Sequence, residues 1–165
     1  MTFLLVRVDD RLLHGQVVFG WGERLQPRAY LIADDRVAAD AWEQEAYRGA
    51  VPEGVRVAVS DLRSFAHSWN SLEDAGGTVI LIRGLEDLAR LYQDGFRPSG
   101  EINLGGRHAT AGSIELLAFL QLTRPEVAAL RDLLDAGVEL NAQELPGTPR
   151  HGPEELRTRL VQLES

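Results

Sequence analysis

Short apolar runs alternate with longer segments of mixed polarity along most of the chain. The longer segments carry apolar residues at helical spacing. The short runs predict strands at 3–8, 28–33, 55–59, 78–82, 102–104 and 138–145. The longer segments predict helices at 15–26, 37–49, 62–72, 85–93, 127–136 and 153–163. The apolar run at 114–120 fits a strand or a helix.

Turn and cap residues bound several of these segments. Pro27 ends the first predicted helix, because a proline disrupts the interior of a helix. Thr123 and Glu126 have the spacing of a capping box before a helix that Gly137 ends. Gly76 and Gly77 interrupt the chain before the fourth strand. Strands and helices therefore alternate without a linker or an internal repeat.

Strands that alternate with helices of this length predict repeated βαβ units. The predicted strands are almost wholly apolar, which is typical of a parallel sheet covered on both faces. We therefore predict an α/β fold, with residues 1–165 forming a single domain around an open, mostly parallel sheet with helices on both faces. Ligands of such folds bind beyond the carboxyl ends of the strands.

Composition and charge narrow the classes of function. The chain has 165 residues and a formal net charge of −8, and all of its basic residues are arginines. Such an acidic chain is a poor candidate for nucleic-acid binding. It contains no cysteine, which excludes disulfides and thiolate chemistry. The histidines lack metal-ligand spacing, so we expect no metal and no cofactor. No apolar run approaches the roughly 20 residues of a membrane-spanning helix, and we expect a cytoplasmic protein.

The densest polar cluster follows the first predicted strand, at residues 9–16. His14 is the best nucleophile in this loop, because a neutral imidazole is available near pH 7. Arg11 lies three residues earlier, and a guanidinium can bind a phosphoryl group through two hydrogen bonds. Backbone amides near Gly15 and the start of the next helix can form an anion site. Together these groups indicate phosphoryl transfer through a phosphohistidine.

Two questions stay open from the chemistry of the loop alone. Either Asp9 or Asp10 can orient the imidazole, and either can instead pair with Arg11. A histidine that follows a strand is also more often a helix cap or a hydrogen-bonded polar residue than a catalytic group.

The first loop belongs to a longer segment, Arg7–Val17, with the sequence RVDDRLLHGQV, and Trp21 follows it. This segment resembles the signature of the IIB component of the mannose/fructose/sorbose family of the bacterial sugar phosphotransferase system. Residues 33–35, 52–55 and 102–106 match the family in register. The resemblance therefore covers nearly the whole chain.

The resemblance implies a phosphohistidine relay in sugar uptake. Such a IIB component is a phosphotransferase that takes a phosphoryl group from a phosphohistidine of a IIA protein or domain. It passes the group to a sugar bound in a IIC/IID membrane complex. His14 would be the phospho-acceptor and Arg11 the phosphate-binding residue, with Asp10 and Gln16 supporting the loop. The resemblance also implies a cytoplasmic location, peripheral attachment to the permease, and often a homodimer.

The chain departs from the family after Gly105-Gly106. The family carries an aromatic residue and a lysine near the end of this stretch, where Ala109 and Ser113 stand here. The departure leaves open an alternative function, a IIB-like regulatory or docking module that does not itself phosphorylate sugar. His108, in the same loop, is interpreted as a solvent-facing turn residue, and the alternative is a role beside the phosphoryl group.

Several other residues carry weaker expectations. We expect one of Asp34 and Asp35 to cap the following helix and the other to face the active-site crevice. His151 lies in a turn rich in proline and glycine, where we expect it to be solvated. Core packing is the default for three tryptophans on predicted helices, Trp21, Trp42 and Trp69, and an exposed Trp42 would indicate a subunit contact.

Overall fold

A computed structural model describes residues 2–165 and contains eight strands within them. The strands are β1 (Leu5–Val8), β2 (Ala29–Ala33), β3 (Arg56–Ser60), β4 (Thr78–Ile82), β5 (Ile102–Leu104), β6 (Ile114–Leu117), β7 (Leu120–Leu122) and β8 (Leu140–Ala142). Six of them form one sheet in the order β3-β2-β4-β1-β5-β8, and every neighbouring pair is parallel. The predicted open parallel sheet is confirmed, and β6 and β7 pair with each other outside it.

Helices cover both faces of this sheet, as predicted. They are a π-helix (Gln16–Trp21) that continues into α1 (Gly22–Leu25), followed by α2 (Asp35–Ala38), α3 (Ala41–Arg48), α4 (Leu62–Ala75), α5 (Leu85–Gln93), α6 (Arg124–Asp135) and α7 (Pro153–Leu163). The single helix predicted at 37–49 is wrong. The Asp40 side chain accepts hydrogen bonds from the amides of Trp42 and Glu43, which caps a new helix at that point.

Two other predicted elements differ from the structure. The ambiguous run at 114–120 is a hairpin, in which β6 and β7 pair antiparallel. The last strand is three residues long, not the predicted 138–145. Val138 donates its amide to Leu133 and so closes the end of α6, while the carbonyls of Gln143 and Glu144 accept from an arginine side chain.

The apolar core lies in two clusters, one on each face of the sheet. One cluster joins the sheet to α4, α5, α6 and α7 through residues such as Phe65 and Leu88. The other joins it to the first loop and the π-helix, and includes Leu12, Leu13 and Val17. Burial of one such side chain contributes about 1.5–3 kcal/mol. The second cluster therefore fixes the loop after β1 in place.

The helix caps agree with the sequence in most places. Thr123 and Glu126 form the predicted capping box at the start of α6. Asp34 caps α2 by accepting from the Val37 amide, as expected for one residue of the pair. The expectation that the other aspartate faces the active-site crevice is wrong. Asp35 accepts from the Leu62 amide and from Arg90, and so joins α2 to α4 and α5.

The tryptophans and His151 show where burial differs from expectation. Trp21 is buried, and Trp69 is partly buried against Phe96. Trp42 is 87% exposed, so the core position expected for it is wrong. His151 is largely buried rather than solvated, because its backbone pairs with Ala142 and its ring lies near the carboxylate of Glu155.

The sheet topology places two loops side by side. Strand β1 lies beside β5, and the chain leaves β1 toward β2 on one side but leaves β5 toward β8 on the other side. Crevices that bind ligands form where neighbouring connections diverge in this way. The loops that follow β1 and β5 meet at this point. Among residues 2–165, no helix has both the length and the apolar character to cross a membrane.

Candidate functional site

The loop after β1 is anchored by its own leucines. Leu12 and Leu13 are buried, and the Leu12 amide donates to the Asp9 carbonyl. Leu12 adopts a φ of 56°, which is unfavourable for a residue with a side chain. Such conformations persist where the surrounding packing over-determines them, and they cluster at functional sites. The tight turn brings Asp9, Arg11 and His14 together.

Asp9 is the buried centre of the site. Its carboxylate accepts from Arg7 Nη2 at 3.1 Å, from the Gly106 amide at 3.1 Å, and from the Arg11 amide and Nε at 3.1 and 3.3 Å. Burial alone would raise the pKa of Asp9. The charge of Arg7 and the backbone hydrogen bonds from Gly106 and Arg11 outweigh burial and hold this pKa below its usual value. Asp9 is therefore ionised at neutral pH.

Arg7 is the fully buried cation that pairs with Asp9. Besides Asp9, its guanidinium donates to Asn103 Oδ1 at 2.6 Å and to the carbonyls of Gln143 and Glu144, each at 3.0 Å. A Cβ atom at Gly105 would come within 2.4 Å of the guanidinium, so only glycine fits there. The side chain thus binds β1, β5 and the segment after β8 to one another.

The His14 ring lies between the turn and Asp9. Nδ1 is 3.0 Å from the Leu12 carbonyl, so Nδ1 carries the hydrogen and donates it. Nε2 is buried without a hydrogen bond, 3.8 Å from Asp9 Oδ2. The side chain is only 16% exposed. In this conformation both ring nitrogens face the protein, and the ring must turn before either meets an external group.

Arg11 and Gln16 form the edge of an open cavity. Arg11 Nη2 donates to Gln16 Oε1 at 2.7 Å, and Gln16 Nε2 donates to Glu144 Oε1 at 3.3 Å. About one third of the Arg11 side chain is exposed. These residues line one part of a cavity of about 510 Å³, whose other residues include His108 and Phe119. A partly exposed guanidinium in a fixed position is suited to bind an anion.

Asp10 contacts the loop after β5. Its carboxylate accepts from the His108 amide at 2.9 Å, lies 2.9 and 3.0 Å from His108 Nδ1, and is 3.7 Å from Arg107 Nη1. Of the two carboxylates considered in the sequence, Asp9 approaches the imidazole and also pairs with Arg11. His108 is solvent-exposed, as interpreted from the sequence, and it also pairs with Asp10.

The structure brings three of the four predicted residues, His14, Arg11 and Gln16, around Asp9 and the cavity edge, whereas Asp10 pairs with His108. Arg7 and Glu144 were not predicted as site residues from the sequence. A charged residue near the end of an otherwise apolar strand was the available signal for Arg7. Within residues 2–165, no group of three or more His, Cys, Asp or Glu side chains is arranged to hold a metal ion.

The fold and the loop after β1 define the class of the protein. Residues 3–160 match the family described as "PTS system sorbose subfamily IIB component", and the chain belongs to this family. The family consists of IIB components of the sugar phosphotransferase system, and one relative is named "PTS system sorbose-specific EIIB component".

Individual relatives agree with this assignment. The N-acetylgalactosamine-specific phosphotransferase enzyme IIB component 2 of Escherichia coli K12 is 29% identical over 148 residues, which cover 90% of this chain and 94% of that protein. The solved IIB domain of the sorbose permease from Klebsiella pneumoniae superposes with a TM-score of 0.81 at 26% identity, covering 96% of this chain and 97% of that one.

Some relatives are longer than this chain. The mannose-specific EIIAB component of Escherichia coli K12 is 27% identical over 151 residues, which cover 91% of this chain. The match spans 46% of the length of that relative, which combines A and B components in one polypeptide.

Proposed function

We propose that this protein accepts a phosphoryl group on His14 from the phosphohistidine of a IIA protein or domain. It then passes the group to a sugar held by a IIC/IID membrane complex. It does so in the cytoplasm, attached peripherally to that permease. One observation supports this role above the others: His14 lies beside the buried, ionised Asp9 in a loop that also holds Arg11 at a cavity edge.

The pair of His14 and Asp9 is suited to nucleophilic attack on phosphorus. Attack requires a ring nitrogen with a free electron pair. When the ring carries its proton on Nε2, a small rotation lets this nitrogen donate to Asp9, now 3.8 Å away. Nδ1 then leaves the Leu12 carbonyl and presents its electron pair to phosphorus. The N–P bond forms as the phosphoryl donor's bond breaks, and Asp9 balances the charge that develops on the ring.

Arg11 and the start of the π-helix supply the contacts for the phosphoryl oxygens. Arg11 is held by Asp9 through Nε and by Gln16 through Nη2, so its planar group has a defined orientation. The amides of Val17 and Val18 are already bonded to the His14 carbonyl, whereas those of Gly15 and Gln16 have no backbone partner among residues 2–165. One arginine and two amides bind a phosphoryl group and still release it, as a relay requires.

The proposal predicts a defined chemistry for the phosphorylated protein. The purified protein is incubated with phosphoenolpyruvate, the general phosphotransferase proteins and a mannose-family IIA. It is expected to gain the mass of one phosphoryl group, in a linkage that acid hydrolyses and base does not. Intact-mass measurement before and after brief acid treatment checks this. An acid-stable phosphoryl group would place the acceptor on another residue type.

Replacing Arg11 by lysine is expected to slow phosphoryl acceptance although the charge is kept. Lysine loses the two parallel hydrogen bonds, and a charge-assisted hydrogen bond contributes about 1.5–3 kcal/mol, or roughly 10- to 100-fold in rate. The rate of phosphorylation by IIA is measured for Arg11→Lys and for the control Arg90→Lys, which changes an exposed pair with Asp35. Equal rates for Arg11→Lys and the wild type would contradict this role.

The second candidate function is a regulatory or docking module that binds IIA without phosphorylating sugar. It is favoured by Ala109 and Ser113, which stand where the family carries an aromatic residue and a lysine. A folded protein that binds IIA but gains no phosphoryl group would support this alternative over the relay.

A further inference from the structure

His108 and Asp10 form a second histidine–carboxylate pair beside the candidate site. Asp10 oxygens lie 2.9 and 3.0 Å from His108 Nδ1, and the same carboxylate accepts from the His108 amide at 2.9 Å. A ring nitrogen bonded to a carboxylate donates its hydrogen. In the neutral ring the electron pair is therefore on Nε2, which takes part in no hydrogen bond among the described residues. The side chain is 65% exposed.

The pair is joined to the phosphate-binding loop by the backbone. The Asp10 amide donates to the Gly106 carbonyl at 3.1 Å, and the Gly106 amide donates to Asp9 Oδ2 at 3.1 Å. Arg11 and His108 line the same cavity of about 510 Å³. A phosphoryl group bound by Arg11 would therefore share this cavity with the free nitrogen of His108.

We propose that His108 is a further catalytic residue, which accepts the proton of the sugar hydroxyl during phosphoryl transfer from His14. The inference rests on the proposed relay. The hydroxyl oxygen attacks phosphorus roughly in line with the N–P bond. The O–P bond forms, the N–P bond breaks, and its electron pair returns to His14. The hydroxyl proton passes to Nε2 of His108, and Asp10 stabilises the resulting imidazolium before water removes the proton.

Other groups in the cavity are less suited to this task. Glu144 Oε1 accepts from Gln16 and Glu115 Oε2 accepts from Gln121 at 3.1 Å. A carboxylate is in general a weaker base than an imidazole. Arg11 is a cation and cannot accept a proton. His108 is therefore the titratable side chain of the cavity with a free acceptor nitrogen and a partner that stabilises its charged form.

The test separates the two half-reactions. Wild type, His108→Ala and His108→Gln are each phosphorylated through IIA, isolated, and mixed with vesicles that carry a mannose-family IIC/IID complex. Mannose, sorbose, fructose and N-acetylgalactosamine are supplied in turn, and loss of the phosphoryl group and formation of sugar phosphate are followed. His67→Ala is the control, because His67 is an exposed histidine on α4.

Both His108 variants are expected to gain the phosphoryl group on His14 but to pass it to sugar about 100-fold more slowly, within the range of general base catalysis. The transfer rate of the wild type should fall toward acidic pH, and the variants should lose this dependence. The charged groups that face His108 are Asp10 and Arg107, with Arg11, Glu115 and Glu144 lining the same cavity; all of them are unchanged in these variants.

Three results would overturn the inference. Transfer to sugar at the wild-type rate by the His108 variants would remove His108 from the reaction. An unchanged pH profile in a slowed variant would assign it a structural role instead. A wild-type protein that gains the phosphoryl group and delivers it to none of the sugars would refute the transfer step itself, whereas a protein that gains none would refute the relay.

Discussion

The His14→Ala variant is expected to accept no phosphoryl group and to remain folded. The ring makes one hydrogen bond, from Nδ1 to the Leu12 carbonyl, and its Nε2 makes none. A hydrogen bond of this kind contributes about 1 kcal/mol, which is small against a typical stability of about 5–15 kcal/mol. Asp9 keeps its hydrogen bonds to Arg7, Arg11 and the Gly106 amide. The loop should therefore stay in place without its nucleophile.

The intact mass after incubation with IIA measures phosphoryl acceptance. A thermal unfolding curve measures whether the variant remains folded. His67→Ala is a closely matched control, because His67 Nδ1 is also bonded to a backbone carbonyl, that of Arg63. The control should gain the phosphoryl group at the wild-type rate. If His14→Ala were still phosphorylated with the same acid-labile linkage, a different histidine would be the acceptor, and His108 would be examined next.

The Arg7→Met variant is expected to lose up to about 3–5 kcal/mol of the free energy of unfolding, since the buried Asp9 carboxylate loses its buried cation and keeps only the partly exposed Arg11. Methionine has similar length, so the loss arises from charge and hydrogen bonding rather than from an empty cavity. Asp9, Asn103 and two backbone carbonyls lose a donor at once. Denaturant unfolding at pH 7 measures the change.

Two control variants distinguish the stability lost with the buried Arg7–Asp9 ion pair from the stability lost when any charge is removed. Arg90→Met breaks an exposed pair with Asp35 and should cost no more than about 1 kcal/mol. The double variant Arg7→Met/Asp9→Asn removes both charges and should recover part of the lost stability. A cost for Arg7→Met as small as that for Arg90→Met would contradict the role given to the buried pair.

The contribution of Asp9 to the pH dependence of stability should also become smaller in Arg7→Met. In the wild type the pKa of Asp9 is lowered, so its contribution is complete above the unfolded pKa of about 3.9 and is lost as the pH falls through the folded value. Arg7 is the strongest influence that lowers this pKa, so the pKa of Asp9 should be higher in Arg7→Met. The stability that the variant loses on acidification should therefore be smaller than in the wild type.

Much of the fold follows from local sequence, because parallel strands covered on both faces are continuous apolar runs. Strand β4 is a clear case, and all five of its residues are buried. The capping box at Thr123 was predictable because its hydrogen bonds join residues three apart. The hairpin of β6 and β7 was ambiguous, since a short apolar run has no period that distinguishes a strand from a helix.

The candidate site could be proposed from the sequence only where one loop carries its residues. His14, Arg11 and Gln16 lie within a few positions of one another, so the sequence alone shows that they are neighbours. The partners of Arg7 and Asp10 come from segments about a hundred residues away, including Asn103 and His108. No periodicity or spacing encodes which distant loop meets the first one, so these contacts required the structure.

The hairpin of β6 and β7 packs into the core on one side and lines the cavity on the other. Its leucines hold it to the core, while Glu115, Phe119 and Gln121 line the cavity wall opposite the loop of His14. It is tied to the β5 loop through backbone hydrogen bonds at Arg107. Outward positions of the hairpin can therefore be substituted, or exchanged in a graft, at little cost to the loop of His14. Such substitutions are expected to change which groups the cavity admits.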